Sequence, residues 1–533
     1  MKLLEHETDE KLRGSFYTPK TISDFILKWA FNGNKHCDIL EPSCGDGVFL
    51  ESILENGYEY NSITAVEINE IEANKARDIR LKNLSVIVDD FHVFCNNTNQ
   101  EFDIIIGNPP YIRYQYFDKQ QQEEAEKIFT SNDIKYSRLM NAWSAFVVGC
   151  TSLLKEEGKL GFVLPSEILQ VINAKQIREF LIKKFSKISI VSFKKLVFPS
   201  IQQDVVLILC QKGSGETHIE HIEVKDDIAL ADVDIVSLKN PKKNIYNFSK
   251  WTSFFLEQKE LDFLNEISLN TKLKPIRDFA HVEIGITTGA NDYFCVEKEI
   301  INKFNMEAYA RKLICRSVQV SGATFNDDDW VKNYENNIKS SLLVFPKIEQ
   351  LKLNKDALEY IHLGEKQGIN KGYKCSIRDE WQIMPSVSLS DAFFTRRNNI
   401  YAKMVLNESE SYTTDTMHRV WINKGIDKKA FVASFYNSIS IIFMELEGRS
   451  FGGGALELMP SEVENVLIPY LVSNNDLFNE IDELIRNKTK IQDILDYTDK
   501  VILEKELGFS KSDLKLAISI REKLTGKRLT RKK

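Results

Sequence analysis

Long apolar runs are missing from this chain of 533 residues. Even the stretch from Phe431 to Met444 is interrupted by Ser434, Asn437 and Ser438, so no segment has the length of a transmembrane helix and no membrane partner is expected. The opening stretch, Met1 to Arg13, is charged and lacks the apolar segment of a secretory signal. Cysteine is sparse: eight residues, scattered, with no Cys-x-x-Cys pair and no cysteine–histidine cluster at zinc-finger spacing. This pattern argues against a disulfide framework and a zinc site, and fits reduced thiols in a cytoplasmic protein with no metal. A Gly-x-Gly-x-x-Gly dinucleotide fingerprint and a P-loop are absent as well. So is any collagenous or low-complexity bias; the length and composition suit two or three globular domains with sizeable cores. Net positive charge is lacking too. The formal charge of −7 speaks against a nucleic-acid binder when taken as a sum, but distribution matters more. From Lys511 onward the tail carries Lys515, Arg521, Lys523, Lys527, Arg528, Arg531, Lys532 and Lys533 against Asp513 and Glu522. That basic end is either a phosphate-contacting arm or a solvated tail.

What is present centres on Asp103-Ile-Ile-Ile-Gly-Asn108-Pro109-Pro110-Tyr111. Three apolar β-branched residues predict a buried strand, and the two prolines must stop it because proline cannot donate to a sheet ladder. The strand then presents an amide, stiffened backbone carbonyls and an aromatic ring at its carboxyl edge, where open α/β sheets bind ligands. The side-chain carbonyl of Asn108 and the backbone carbonyl of Pro109 are two fixed acceptors, matched to the two hydrogens of a planar NH2. Holding both hydrogens draws the nitrogen toward tetrahedral geometry and localises its lone pair for attack, while Tyr111 offers a face for stacking. A plain strand-terminating turn accounts for an isolated Asn-Pro-Pro equally well.

Upstream, Ile22, Phe25, Ile26 and Trp29 recur at helical spacing, and Thr18 or Thr21 either caps that helix or reaches a ligand over the sheet. A short strand ending at Glu41 leads into Pro-Ser-Cys-Gly45-Asp46-Gly47, a glycine loop bearing carboxylates. Such a loop suits a nucleoside with a cationic amino-acid tail, or is simply a tight turn with solvated acids. A second strand, Ile63 to Val66, ends at Glu67, about 20 residues beyond the loop, where nucleotide-binding α/β units grip a ribose diol. A third, Ser85 to Val88, ends in Asp89-Asp90-Phe91, placing Asp90 to accept from an adenine amino group and Phe91 to pack on its ring. Residues 115–133 are polar and read as a mobile helix or lid. A helix over 142–154, a strand over 159–164 and a helix over 168–183 follow. Strands over 188–193 and 205–210, joined without a helix, predict an antiparallel hairpin at one edge, with Phe198 on its loop. Strands alternating with helices give a parallel, doubly wound sheet. His218-Ile-Glu-His221-Ile-Glu223 reads as a half-exposed strand rather than a metal ligand set, and residues 238–247 as a linker.

The second half changes character. Short strands alternate with basic and amide residues, among them Arg311, Arg316, Lys371, Lys374, Arg378, Arg396, Arg397, His418 and Arg419. Arginine and asparagine read base edges in the major groove, although most such residues are merely solvated. Phe451-Gly452-Gly453-Gly454 predicts a sharp loop, and helical periodicity returns from 473 to about 525.

In this order, Phe16-x-Thr18-Pro19, Glu41-Pro-Ser-Cys-Gly45-Asp-Gly47, Glu67, Asp90-Phe91, Asn108-Pro-Pro-Tyr111 and Phe198-Pro199 resemble the amino-type DNA methyltransferases that modify adenine N6, in the γ-arrangement. The match spans roughly the first 210 residues. Gly285-Ile-Thr-Thr-Gly289-Ala-Asn291 and Gly452-Gly-Gly-Ala-Leu456-Glu-Leu are similar to landmarks of that family's recognition half. The resemblance implies a Rossmann-like seven-stranded methyltransferase sheet with an antiparallel edge hairpin (residues 1–245), a mixed α+β target-recognition domain (246–470) and a helical carboxyl segment (471–533). It implies S-adenosylmethionine as cofactor, held by Tyr17, Thr18, Pro19, Glu41, Ser43, Gly45, Asp46, Glu67, Ile68, Asp90, Phe91 and Asn108. An adenine flipped from double-stranded DNA would meet Asn108, Pro109, Pro110, Tyr111 and Phe198, with Arg311, Arg316, Arg396, Arg397, His418 and Arg419 as candidate DNA contacts. Three rival readings remain: an RNA or protein-glutamine methyltransferase, a specificity subunit without catalysis, and a nuclease fusion. The long second half counts against a small peptide substrate, and the intact motifs against a non-catalytic scaffold. Motifs starting almost at Met1 leave a restriction endonuclease as a separate chain.

Overall fold

A computed structural model describes residues 18–195, 197–198, 204–234, 250–351, 354–451, 454–471 and 475–530. The chain divides into two compact units, one within Met1–Asp262 and one across Phe263–Leu529.

In the first unit, helix α1 (Lys20–Phe31) buries Ile22, Phe25, Ile26 and Trp29, as their spacing predicts. Its N-cap position is Pro19, which has no side chain to bond the helix end, so neither threonine caps it. Strand β1 (Cys37–Glu41) leads to α2 (Val48–Asn56), and β2 (Tyr60–Glu67) to α3 (Glu70–Asp78), which Asn69 caps. Strand β3 (Leu84–Val88) runs into α4 (Phe91–Asn97), capped by Asp90. Strand β4 (Phe102–Gly107) is followed by α5 (Lys119–Thr130) and α6 (Trp143–Ser152). The rest of the sheet comes from β5 (Leu154–Pro165), β6 (Lys187–Phe193), β7 (Val205–Gln211) and β8 (His218–Val224), with α7 (Lys175–Lys184) between β5 and β6.

The sheet order is β3-β2-β1-β4-β5-β7-β6-β8. Eight strands stand where seven are expected, because the half-exposed segment His218–Val224 pairs in parallel with β6 along its whole length. The β6–β7 pair is antiparallel as expected, but β7 inserts between β5 and β6, and β8 covers the outer side of β6. The hairpin is therefore inside the sheet, and β8 is the edge. One face packs under α4–α7 through Phe91, Phe129, Trp143 and Phe146; the other packs under α1 and α2 through Ile26, Trp29 and Phe49. The order reverses at β1–β4, the point at which an open α/β sheet forms its ligand crevice.

The polar segment expected to be a mobile helix or lid contains the helix α5. Asp118 and Gln121 close a capping box at its start, and Ala125, Ile128 and Phe129 bury its apolar side.

The second unit holds a five-stranded sheet in the order Ala280–Ile284, Met417–Ile422, Ala392–Thr395, Met404–Asn407, Thr324–Phe325. A four-stranded sheet runs Cys295–Val296, Ser341–Leu343, Ala310–Ile314, Tyr412–Thr413. Helices Asn475–Arg486, Ile491–Asp499 and Lys511–Thr530 complete the chain. No described helix is long and apolar enough to cross a membrane.

Candidate functional site

Three adjacent parallel strands, β1, β2 and β4, deliver their carboxyl ends to one crevice. Glu41, the last residue of β1, is 1% exposed, and its Oε2 has no hydrogen-bond partner. Burial and the nearby charges of Glu67 and Asp46 push its carboxyl well above the ordinary range. An unpartnered buried carboxylate oxygen is costly unless a proton or a cation meets it. Glu67, at the end of β2, is held from both sides: its Oε2 accepts from the Gly45 N–H and its Oε1 from the Asn69 N–H, each at 2.9 Å. That double anchor fixes the carboxylate while leaving lone pairs to spare for a diol.

The loop between them depends on glycine. Gly45 (φ +54°) and Gly47 (φ +99°) are left-handed, and a Cβ at Gly47 would fall 2.4 Å from the Ile79 Cδ1. Asp46 on this loop is half-buried, and its carboxyl is raised by burial and by Glu72.

Asn108 follows β4. Its amide nitrogen donates to the Thr18 hydroxyl at 3.1 Å, and its side-chain oxygen accepts from the Tyr111 hydroxyl at 2.7 Å. The Tyr111 hydroxyl also lies 3.1 Å from the Val163 carbonyl, a second acceptor within reach. Ser43 ties the loops together by donating to the Asn108 main-chain carbonyl at 3.3 Å. Thr18 is thus bonded to Asn108 and buried, and it does not cap the helix. Tyr111 packs against the apolar cluster that contains Phe198, which is itself 7% exposed.

Asp90 is more enclosed than the sequence suggests. One oxygen accepts from the His92 N–H at 2.7 Å and lies 2.6 Å from His92 Nδ1; the other accepts from the Gln121 side chain at 2.9 Å. Burial raises its carboxyl, but the His92 contacts and the Gln121 bond outweigh it and leave Asp90 below its ordinary value. His92 Nε2 sits 3.2 Å from the Tyr114 hydroxyl, which donates to the Ala142 carbonyl. Sequence reasoning missed His92, Tyr114 and Gln121. The one available signal was a histidine two residues after a capping aspartate. Phe91 needs a correction: its ring is 3% exposed and stacks on Phe146 with centroids 4.3 Å apart, so it packs into the core instead of offering a face to a ligand. Ile68 is 59% exposed beside Glu67. Tyr17, Phe16 and Pro199 lie outside the described residues.

The candidate DNA contacts separate. Arg311, Arg316 and Arg397 are exposed, Arg311 bonding the carbonyls of Ala308 and Ala310 and Arg397 pairing with Glu457. Arg396 is mostly buried and also pairs with Glu457. His418 and Arg419 are corrections. On the interior strand Met417–Ile422, His418 is fully buried and bonds the Leu458 carbonyl; Arg419 is 5% exposed and locked to the Ile284 and Ser386 carbonyls, Ser388 and Glu283. Neither side chain is available to a base edge. In the basic tail, Arg521 and Arg528 are likewise buried. Among the described residues no group of histidine, cysteine, aspartate and glutamate is arranged to hold a metal ion.

Comparison with known proteins gives this geometry its setting. Residues 47–198 match the Eco57I restriction-modification methylase domain, and residues 248–503 the C-terminal domain of the Type II methyltransferase M.Eco57I. Both matched models describe Eco57I-type restriction-modification methylases. It is 25% identical over 529 residues to the Type II methyltransferase M.AccI of Acinetobacter calcoaceticus, covering 94% of both chains. It is 30% identical over 231 residues, 42% of each chain, to the Type II methyltransferase M.HincII of Haemophilus influenzae. A cryo-EM structure of a DrdV–DNA complex shares the fold at a TM-score of 0.50 and 14% identity, covering 90% of this chain and 57% of that one. With these matches the chain is a DNA methyltransferase that takes its methyl group from S-adenosylmethionine. The crevice fits that cofactor: an orphaned buried carboxylate oxygen suits a cationic amino-acid tail, and the side-chain-free turn at Gly45 and Gly47 lets the backbone approach it.

Proposed function

We propose that this methylase modifies the N6 amino group of adenine in duplex DNA, with the base flipped out of the helix into the crevice. The observation that carries the reading is the placement of Asn108: it follows β4 directly at the sheet's switch point, its amide held between Thr18 and Tyr111. With the amide so oriented, the Asn108 side-chain oxygen and the Pro109 carbonyl serve as paired acceptors for an exocyclic NH2. Tyr111, with Phe198 behind it, flanks the base. Pro110 keeps the turn rigid.

S-adenosylmethionine, when bound, supplies a sulfonium-activated methyl group. Glu41 would accept from the cationic end of that cofactor, Glu67 would hold its ribose diol, and Asp46, Gly45 and Ser43 would line the loop between. Asp90 would accept from its adenine amino group, oriented by His92 and Gln121. Thr18 and Pro19 would close the crevice above Asn108. No strong base is needed before attack, because the acceptors activate the nitrogen and its proton leaves after the methyl arrives; rate enhancement comes from positioning. A separate restriction endonuclease would cleave DNA lacking the mark.

The test is tritiated methyl transfer to unmethylated duplex DNA, with tRNA and a glutamine-bearing peptide in parallel, followed by nucleoside mass spectrometry. N6-methyladenine from DNA alone is the expected result. N4-methylcytosine would overturn the choice of base, and label in tRNA or peptide the choice of substrate.

A further inference from the structure

Helix Tyr373–Ser376 in the second unit carries an unusual surface. Tyr373 is 79% exposed and Ile377, four residues on and therefore on the same side of the turn, is 67% exposed. Lys371 and Lys374 flank them, both exposed and, among the described residues, neither in an ion pair. Asp379 is the exposed acid nearby; the Glu380 carboxylate is taken up by the Ile348 N–H and the Gln382 side chain.

This apolar and basic tip is firmly seated. Arg378, at its base, donates to the Thr288 carbonyl at 2.7 Å, the Thr287 carbonyl at 3.3 Å and the Trp381 carbonyl at 3.1 Å. The buried Cys375 lies against the same Thr288 carbonyl. Gly289 is left-handed at φ +82°, and a Cβ there would press on the Lys374 Cβ at 3.0 Å and the Cys375 Sγ at 3.1 Å. The segment Gly285–Asn291, prominent in the sequence and otherwise without a role, is thus the seat on which this loop rests. Two large apolar side chains held out in water on an anchored turn stabilise nothing within the described residues, and unpaired lysines on both sides suit a polyanion with an apolar groove lining.

We propose that this loop is a duplex-DNA contact, Lys371 and Lys374 meeting phosphates while Tyr373 and Ile377 enter the groove between them. The inference rests on the reading of duplex DNA as substrate. It is tested with the full-length protein by measuring duplex binding as a function of salt for wild type, K371E/K374E and Y373A/I377S, with S-adenosylmethionine binding as the control for folding. The lysine pair is expected to weaken binding at least tenfold and to lower the slope of log K against log salt by about 2. The apolar pair is expected to weaken binding about fivefold with the slope unchanged. Wild type that binds duplex DNA while both double variants match it in affinity and slope would overturn the loop's role and leave the substrate reading standing. Wild type that binds tRNA and not duplex DNA would overturn both.

Discussion

Asn108 and Tyr111 are bonded to each other, and this changes what each does. The Asn108 oxygen that is to accept from a substrate amino group already accepts from the Tyr111 hydroxyl, and that hydroxyl has an alternative acceptor in the Val163 carbonyl. A base entering the crevice would therefore displace the phenol from Asn108 onto Val163, a local exchange of one hydrogen bond for another. Tyr111→Phe should keep the flat ring and remove the competing donor, so methyl transfer should stay within about threefold of wild type. Tyr111→Ala should lose the stacking contribution of about 1–3 kcal/mol and fall well below it. Asn108→Ala should abolish transfer while cofactor affinity, measured by calorimetry, changes little. Near-normal turnover in that variant would sink the mechanism. Glu41 gives a pH prediction. Burial, with Glu67 and Asp46 beside it, raises its carboxyl, so the cofactor-free protein keeps the proton above the ordinary carboxylate range. Its native state binds more protons than the unfolded chain there, and stability falls as pH rises from the unfolded value to the raised folded one. A cationic ligand reverses the preference, so S-adenosylmethionine should bind more tightly as pH rises through that range and release a proton. Calorimetry in buffers of different ionisation enthalpy measures that proton, and Glu41→Gln should eliminate it.

At the scale of elements, what could be read from sequence was what local pattern encodes. The helical spacing of Ile22, Phe25, Ile26 and Trp29, and the apolar strand cut off by Pro109 and Pro110, both correspond to described elements. Strand β8 was half legible: a strand was expected, but its polar residues His218, Glu220 and Glu223 carry no sign of the partner they pair with, and pairing is non-local. Helix α5 conceals its packing for a related reason. Its glutamines and glutamates dominate the composition, while three residues, Ala125, Ile128 and Phe129, decide its packing. The buried fates of His418 and Arg419 follow from their interior strand, which is flanked on both sides by Ala280–Ile284 and Ala392–Thr395, pairings that local pattern does not encode. Turn chemistry, by contrast, is explicit. Gly47→Ala should cost about 1–3 kcal/mol for its left-handed backbone alone, beyond the clash with Ile79. Since the same loop carries the Gly45 N–H that anchors Glu67, this variant should lose cofactor affinity as well as thermal stability, both readable from melting curves with and without ligand.

Over the whole molecule, charge is spent in an unexpected place. The basic carboxyl end reads as an arm for phosphates or a solvated tail, yet Arg528 is 3% exposed and grips Glu445, whose side chain is 4% exposed, through Nη2 at 2.6 Å and Nε at 2.9 Å. The same guanidinium bonds the carbonyls of Asn399, Ile400 and Gly454. Asp499, nearby in sequence to the last helices, bonds Ser438, to which Arg521 also donates, and burial raises its carboxyl to about 6. The final helix is thus bolted into the second unit by charges that water no longer reaches, and breaking a buried pair costs about 3–5 kcal/mol because one charge stays behind. Removing residues 510–533 should strip both arginines at once, leaving Glu445 without its cation and Asp499 without a counter-charge. Calorimetric unfolding should then show the second unit's transition shifted down or lost, and duplex binding lost with it, whereas S-adenosylmethionine should still raise the melting temperature of the first. A truncated protein with both transitions intact and normal DNA affinity would mean that the terminal helix is an appendage after all, and that the cations near the carboxyl end serve the solvent rather than the fold.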